Sequence, residues 1–162
     1  MGGMQIANLS SIPAQSVSSP QGKYRLARQS VSQALGGAKD TGTWGGGHPF
    51  DVEHVRVPPG SANFPYHAHA AQWEMFLFLG GTGEVRGPES TRTVTAGDHV
   101  IFKPGEAHQI RNTGEVDLVF YVIADHPVAD VVTYPDTPGK VALKPKFKCG
   151  TLSEQPYYEP GE

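Results

Sequence analysis

A chain of 162 residues is long enough for one domain with a hydrophobic core of its own. Its 20 glycines and 14 prolines favour many turns and short strands over long helices. The net charge of −3, with no Lys/Arg cluster beside a stacking aromatic motif, excludes the electrostatic footprint of a nucleic-acid binder.

Residues 1 to about 22 are rich in Ser, Gln, Gly and Pro and read as a loose arm. The first thirty residues hold no continuous apolar stretch, so neither a signal peptide nor a membrane anchor is expected, and a soluble cytoplasmic protein is the expectation. Tyr24 to Leu35 suits a strand or a short helix before Gly36-Gly37 and Gly45-Gly46-Gly47 break the chain. Eight strand-like segments follow: Phe50 to Val57, Phe64 to Ala70, Trp73 to Leu79, Gly83 to Arg86, Thr91 to Thr95, His99 to Phe102, His108 to Asn112 and Asp117 to Ile123. The connectors carry turn chemistry, as in Pro58-Pro59-Gly60, Gly87-Pro88, Pro104-Gly105 and Thr113-Gly114. Short strands at regular spacing argue an all-β sandwich or barrel and not βαβ units. The expected organisation is an N-terminal arm over residues 1–45, a barrel over 46–127 and a C-terminal extension over 128–162, packed on the barrel or on a partner subunit. That extension spreads Tyr134, Phe147, Tyr157 and Tyr158 among prolines, as an arm lying over a surface would. Its Cys149 is the single cysteine, which excludes an internal disulfide and, lacking a CxxC partner, a redox pair.

Two glycine-punctuated blocks carry the chemistry. The first runs from Gly60 to Gly81 and holds His67, His69 and Glu74; the second runs from Gly97 to Asn112 and holds His108. Alternation along a strand points His67 and His69 the same way, and Glu74 can return on the neighbouring strand. A lone strand histidine is more often surface or hydrogen-bonded core than a ligand, and Glu74 alone reads as a solvated strand end. Three imidazoles and a carboxylate in this order instead form a plausible complete ligand set for a divalent transition metal. His48, His54, His99 and His126 fit no ligand spacing and read as structural or solvated.

This spacing resembles the cupins, whose motifs read G-x5-H-x-H-x3or4-E-x6-G and G-x5-P-x-G-x2-H-x3-N. The first matches from His67 to Gly81, with Gly60 one residue further upstream than the pattern asks. The second matches at Gly97, Gly105, His108 and Asn112 and departs at Lys103, where the family has proline and Pro104 is displaced by one. The resemblance covers about residues 50 to 125. It implies an all-β double-stranded β-helix, a jelly-roll barrel, with His67, His69, Glu74 and His108 as metal ligands.

Nitrogen and oxygen donors together permit iron, manganese, nickel, cobalt, copper or zinc. Small single-domain cupins similar to this chain are grouped with sugar-phosphate isomerases, which implies a small polar metabolite as substrate. Such a reaction needs a proton-moving base and a cation for the phosphate. Glu84, after Gly81-Thr82-Gly83, is the candidate base, ahead of His99 and Tyr66. Lys103, Arg111, Arg92 and Arg56 are candidate phosphate partners, although charges on strands of a small barrel are mostly solvated surface. A metal-dependent dioxygenase and a non-catalytic binding module are the alternatives. The strand from Trp73 to Leu79 is apolar on both faces. If Glu74, Phe76 and Phe78 face the lumen, then Trp73, Met75, Leu77 and Leu79 need cover from the C-terminal segment or from the partner subunit of a homodimer.

Overall fold

The computed structural model describes residues 3–145 and 148–158; Phe147, counted above among the C-terminal aromatics, lies outside them, as do Met1 and Gly2. Thirteen strands occur among the described residues. In chain order they are β1 (Gln15–Ser18), β2 (Arg25–Ser30), β3 (Phe50–Val57), β4 (Ala68–His69), β5 (Glu74–Gly80), β6 (Thr82–Arg86) and β7 (Thr91–Thr95). They continue with β8 (His99–Phe102), β9 (Gln109–Asn112), β10 (Leu118–Asp125), β11 (Asp130–Thr133), β12 (Lys140–Lys144) and β13 (Lys148–Thr151). One helical turn, α1 (Val31–Ala34), follows β2, capped by the Ser30 side chain. No described helix is long and apolar enough to cross a membrane.

A six-stranded antiparallel sheet in the order β1-β2-β3-β10-β5-β8 faces two smaller sheets, β7-β6-β9 and β4-β11-β12-β13. A single antiparallel bridge between His67 and His108 joins the edge of β9 to the residue leading into β4. The two smaller sheets therefore run on as one curved layer. This is the double-stranded β-helix that the motif resemblance implies, and it agrees with the sandwich or barrel expected from the strand pattern.

The strand alternation fills the space between the layers. Val55 and Val57 from β3, Phe76 and Phe78 from β5, and Leu118 and Phe120 from β10 meet Val85, Val94 and Ile110 from the smaller sheet. Phe78, Phe120, Ile110 and Leu118 are essentially closed to solvent. Each such side chain contributes on the order of 1.5–3 kcal/mol of burial energy. Phe76 and Phe78 fill the lumen, as their alternation with Met75 and Leu77 predicts. Gly81, at φ 80°, lets the chain pass the carbonyl of Asp117, which a Cβ would meet at 2.4 Å.

The N-terminal segment read from sequence as a loose arm contains a strand, and the C-terminal extension pairs with the barrel. Residues 15–18 form β1 on the edge of the large sheet. Its side chains are mostly exposed, so no alternation of apolar residues marks it in the sequence. Gln29 ties the preceding segment down by donating to the carbonyls of Leu9 and Ile12, both at 2.7 Å. At the other end, β11 pairs with β4 through Val132↔His69 and Thr133↔Ala68. That pairing commits β11 to β13 to the second layer, so they do not cover the outer face of β5. Trp73 (42% exposed), Leu79 (48%) and Ile101 (53%) remain open there.

Phe120 sits where both layers meet, in edge and tilted contact with Phe76 and Phe78. Replacing Phe120 with Ala should destabilise the fold by about 3–5 kcal/mol, measured by urea denaturation. A loss below about 1 kcal/mol would show that this region is not the packed centre.

Candidate metal centre

The His67–His108 bridge builds the heart of the site. The two residues exchange backbone hydrogen bonds, His67 N to His108 O at 3.1 Å and His108 N to His67 O at 2.8 Å. This pairing sets their imidazoles side by side, ring centroids 4.7 Å apart. Strand alternation adds His69, whose ring lies 5.1 Å from that of His67. Glu74 arrives from the facing sheet, its Oε2 2.8 Å from His108 Nε2 and 3.7 Å from His69 Nε2. The ligand atoms of His67, Glu74 and His108 all fall within 4.8 Å of one another, with His69 at the edge of that group.

Each imidazole is held through its Nδ1. His67 Nδ1 donates to the Pro65 carbonyl at 2.8 Å, and His108 Nδ1 donates to the Glu106 carbonyl at 3.2 Å. His69 Nδ1 lies 2.6 Å from Asp130 Oδ2. Carbonyl and carboxylate oxygens only accept, so Nδ1 carries a proton in all three, and Nε2 is the nitrogen each ring can offer to a metal. Phe102 stacks on His108 at a centroid distance of 4.2 Å and 11°, fixing the ring plane. A neutral His108 Nε2 and an ionised Glu74 oxygen 2.8 Å apart would set two lone pairs against each other. A positive centre between them, a proton or a metal ion, resolves the conflict. Three imidazole lone pairs and one carboxylate thus fit a divalent transition metal.

Electrostatics act in the same sense. Burial holds His67 down to about 4, against the attraction of Glu74. For Glu74 burial pushes the pKa up, but the His108 hydrogen bond and the surrounding imidazoles outweigh it and hold the carboxyl well below the usual range. Burial likewise raises Asp130, and the bonds from His69 and the Ala71 amide prevail to lower it.

The cluster lies in a cavity of about 420 Å³ that His67, His69 and Glu74 help to line. Its wall is largely apolar, from Leu26, Val55, Phe76, Phe120, Val122 and Val132, while Arg28, Lys39, Asp40, Asp51, Glu53 and Lys144 supply charge. Glu84 is not among these residues. It alternates with Gly83 and Val85, which are buried, so its side chain leaves β6 on the opposite face. Lys103, Arg111, Arg92, Arg56 and His99 are exposed and lie outside the cavity as well. Tyr66 is buried, but its hydroxyl donates to the Gly87 carbonyl at 3.2 Å and the Arg86 guanidinium covers its ring. Motif reading missed Asp130, Arg28, Glu53 and Lys144, which lie in neither histidine block. Asn112, the last residue of the second block, is a clip: its amide donates to the carbonyls of Val57 and Val116 at 2.7 and 2.8 Å.

Replacing Asp130 with Asn removes the negative charge and leaves one acceptor oxygen where His69 and the Ala71 amide now use two. Affinity for Zn2+ or Co2+ should fall about 10–100-fold by titration calorimetry, with the fold intact by circular dichroism. Unchanged affinity would exclude His69 as a ligand held this way. Because His67 is neutral in the fold down to about pH 4 but titrates near 6.5 when unfolded, the unfolded chain binds more protons between those values. The stability it contributes is present above pH 6.5 and is lost as pH falls toward 4. The melting temperature of metal-free protein should therefore fall across that window, and His67→Asn should flatten the fall. An equal slope in the variant would refute the assignment.

The fold and the site can now be set beside known proteins. Residues 53–124 match the family model for the cupin domain. An oxalate-binding protein of Thermotoga maritima is 33% identical over 69 residues, which cover 43% of this chain and 56% of that one. The match thus spans little more than half the length of that curated relative. A structure from Acidithiobacillus ferrooxidans, provisionally described as a sugar phosphate isomerase, superposes with a TM-score of 0.76 over 93% of both chains at 21% identity. A cupin-superfamily sugar phosphate isomerase from Silicibacter pomeroyi gives a TM-score of 0.72 over 90% of both chains at 20% identity. At those identities the likeness is one of fold. The matched segment, residues 53–124, carries the similarity to the cupin domain, and the barrel and its motif spacing agree with it.

Proposed function

We propose that this chain is a metal-dependent enzyme that isomerises a small sugar phosphate between aldose and ketose. The observation that carries this reading is the His67–His69–Glu74–His108 constellation opening into a cavity of about 420 Å³, within the size range of small-molecule sites. The two fold relatives described as sugar phosphate isomerases support the choice of reaction. When bound, a divalent metal supplies Lewis acidity toward carbonyl and hydroxyl oxygens. The protein's own part is to hold three imidazole donors in fixed orientation through Pro65, Glu106 and Asp130, with Glu74 facing them from β5. The apolar wall of Phe76, Phe120 and Val132 excludes water from the reacting end. Lys39 and Lys144 supply positive charge to the cavity lining for a phosphate.

The relative named for oxalate binding favours a second reading, a module that binds a small dicarboxylate without turnover. Incubation of metal-loaded protein with a panel of aldose phosphates, followed by NMR, separates the two. Isomerisation that is lost in Glu74→Gln, together with a roughly tenfold or greater drop in metal affinity, supports the enzyme. No turnover on the panel, with oxalate bound and metal retained, supports the module.

The reading includes a homodimer through the outer face of β5 and β8, where Trp73, Leu79 and Ile101 stand open. Light scattering should report a dimer for the native chain and a monomer for Ile101→Glu. A native monomer at micromolar concentration would remove this part.

A further inference from the structure

Resting on the reading of the cavity as a ligand site, we infer that Arg28 and Glu53 form its second pole, binding the hydroxyl groups of a sugar or polyol whose other end lies at the histidine cluster. The strand register places them. Asp51, Ala124 and Glu74 stand abreast on β3, β10 and β5, and Glu53, Val122 and Phe76 form the next row. Glu53 and Glu74 therefore face the same lumen from strands two apart and one row offset, which sets their Cα atoms about 12 Å from each other. Arg28 reaches in from β2, where it pairs with Val55. Between the poles the wall is Val122 and Ala124, which offer no hydrogen bond, so the polar groups of a ligand must be met at its ends.

The pair is poorly explained as a structural bridge. Arg28 Nη1 and Glu53 Oε1 are 3.6 Å apart, beyond hydrogen-bond distance, with side chains 21% and 15% exposed. Arg28 spends its Nε on Gln15 Oε1 at 3.1 Å. Among the described residues no hydrogen bond reaches the Glu53 carboxylate, whose oxygens are not closed off from solvent and so stay open to a ligand in the cavity they line. A ligand hydroxyl satisfies both groups at once, donating to Glu53 and accepting from Arg28. The two charges cancel, so the pole suits neutral hydroxyls; a phosphate there would meet the Glu53 carboxylate. Burial raises the Glu53 pKa, with Arg28 opposing, in keeping with a carboxyl short of partners.

The test uses the full chain loaded with Zn2+, with xylitol as the neutral probe and inorganic phosphate as the anionic one, followed by ligand-observed NMR titration. The expected result is xylitol binding that weakens about tenfold or more in Glu53→Leu and in Arg28→Met, with Zn2+ affinity held near the native value. Glu53→Gln, which keeps the size and one acceptor, should lie between native and Glu53→Leu and serves if the leucine variant folds poorly. Xylitol binding that is absent in the native protein, or equal in all variants, overturns the inference. So does a pair of variants that lose phosphate affinity and keep xylitol. If the native chain takes up no Zn2+, the metal reading falls separately, and the same xylitol titration on metal-free protein decides the pole.

Discussion

The site depends on one backbone pairing, the two-way hydrogen bond between His67 and His108. It does two jobs at once. It splices β9 to the strand beginning at Ala68, which makes one layer of two sheets, and it sets two imidazoles from distant parts of the chain against each other. Geometry that elsewhere requires side-chain packing is imposed here by main-chain bonds, whose lengths leave little play. The remaining ligands follow from it. His69 is two residues along the same strand, and Glu74 comes from the sheet across the lumen. A substitution that spoils the pairing would therefore break the layer and the ligand set together.

Setting these candidate donors together has a cost that the surroundings offset. Imidazoles are placed beside a half-buried carboxylate, and each ring is denied rotation by an acceptor on Nδ1. Two of those acceptors are carbonyls of residues two positions upstream, Pro65 and Glu106, so a local bend in the chain supplies them. The third is a side chain 61 positions away in sequence, Asp130. His69 is consequently the ligand whose orientation depends most on the rest of the fold, and it is also the one at the edge of the tight cluster. A charged acceptor raises the basicity of its imidazole, which compensates in ligand strength for the looser placement.

The sequence disclosed the barrel strands well. β3, β7 and β8 fall where alternation and turn residues put them, and β5, β6, β9 and β10 differ by one or two residues at their ends. These strands bury one face, and burial is what writes a period of two into a sequence. Where that pressure is absent the pattern fails. Strand β1 is an exposed edge, and β4 shrinks to two residues because Ala62 to His67 meets its neighbours through isolated bridges. The four ligand candidates were legible because motif spacing records them. The partners of those ligands were not. Asp130 stands alone before Val131 and Val132, with nothing local to distinguish it from a solvated acid. Glu84 illustrates the converse, since its place after a glycine turn suggested access, while strand parity turns it away from the cavity.

The division between what is legible and what is not follows the division of labour in the fold. The matched domain, residues 53–124, supplies every ligand candidate and most of the apolar wall. Beside Glu74 in the same sheet, the inward positions on β10 are Val122 and Ala124, which can shape a ligand but not recognise one. Polar recognition must then come largely from chain outside that segment, and there the cavity finds Arg28 on β2, Lys39 after α1, Tyr134 after β11 and Lys144 at the end of β12. Only Asp51, Glu53 and Asn63 supply polar lining near the start of the domain. A shared barrel with a shared ligand set can thus serve different small molecules when the flanking strands change. In this chain the flanking residues that line the cavity come from β2, from the segment after α1, and from β11, β12 and the turn between them.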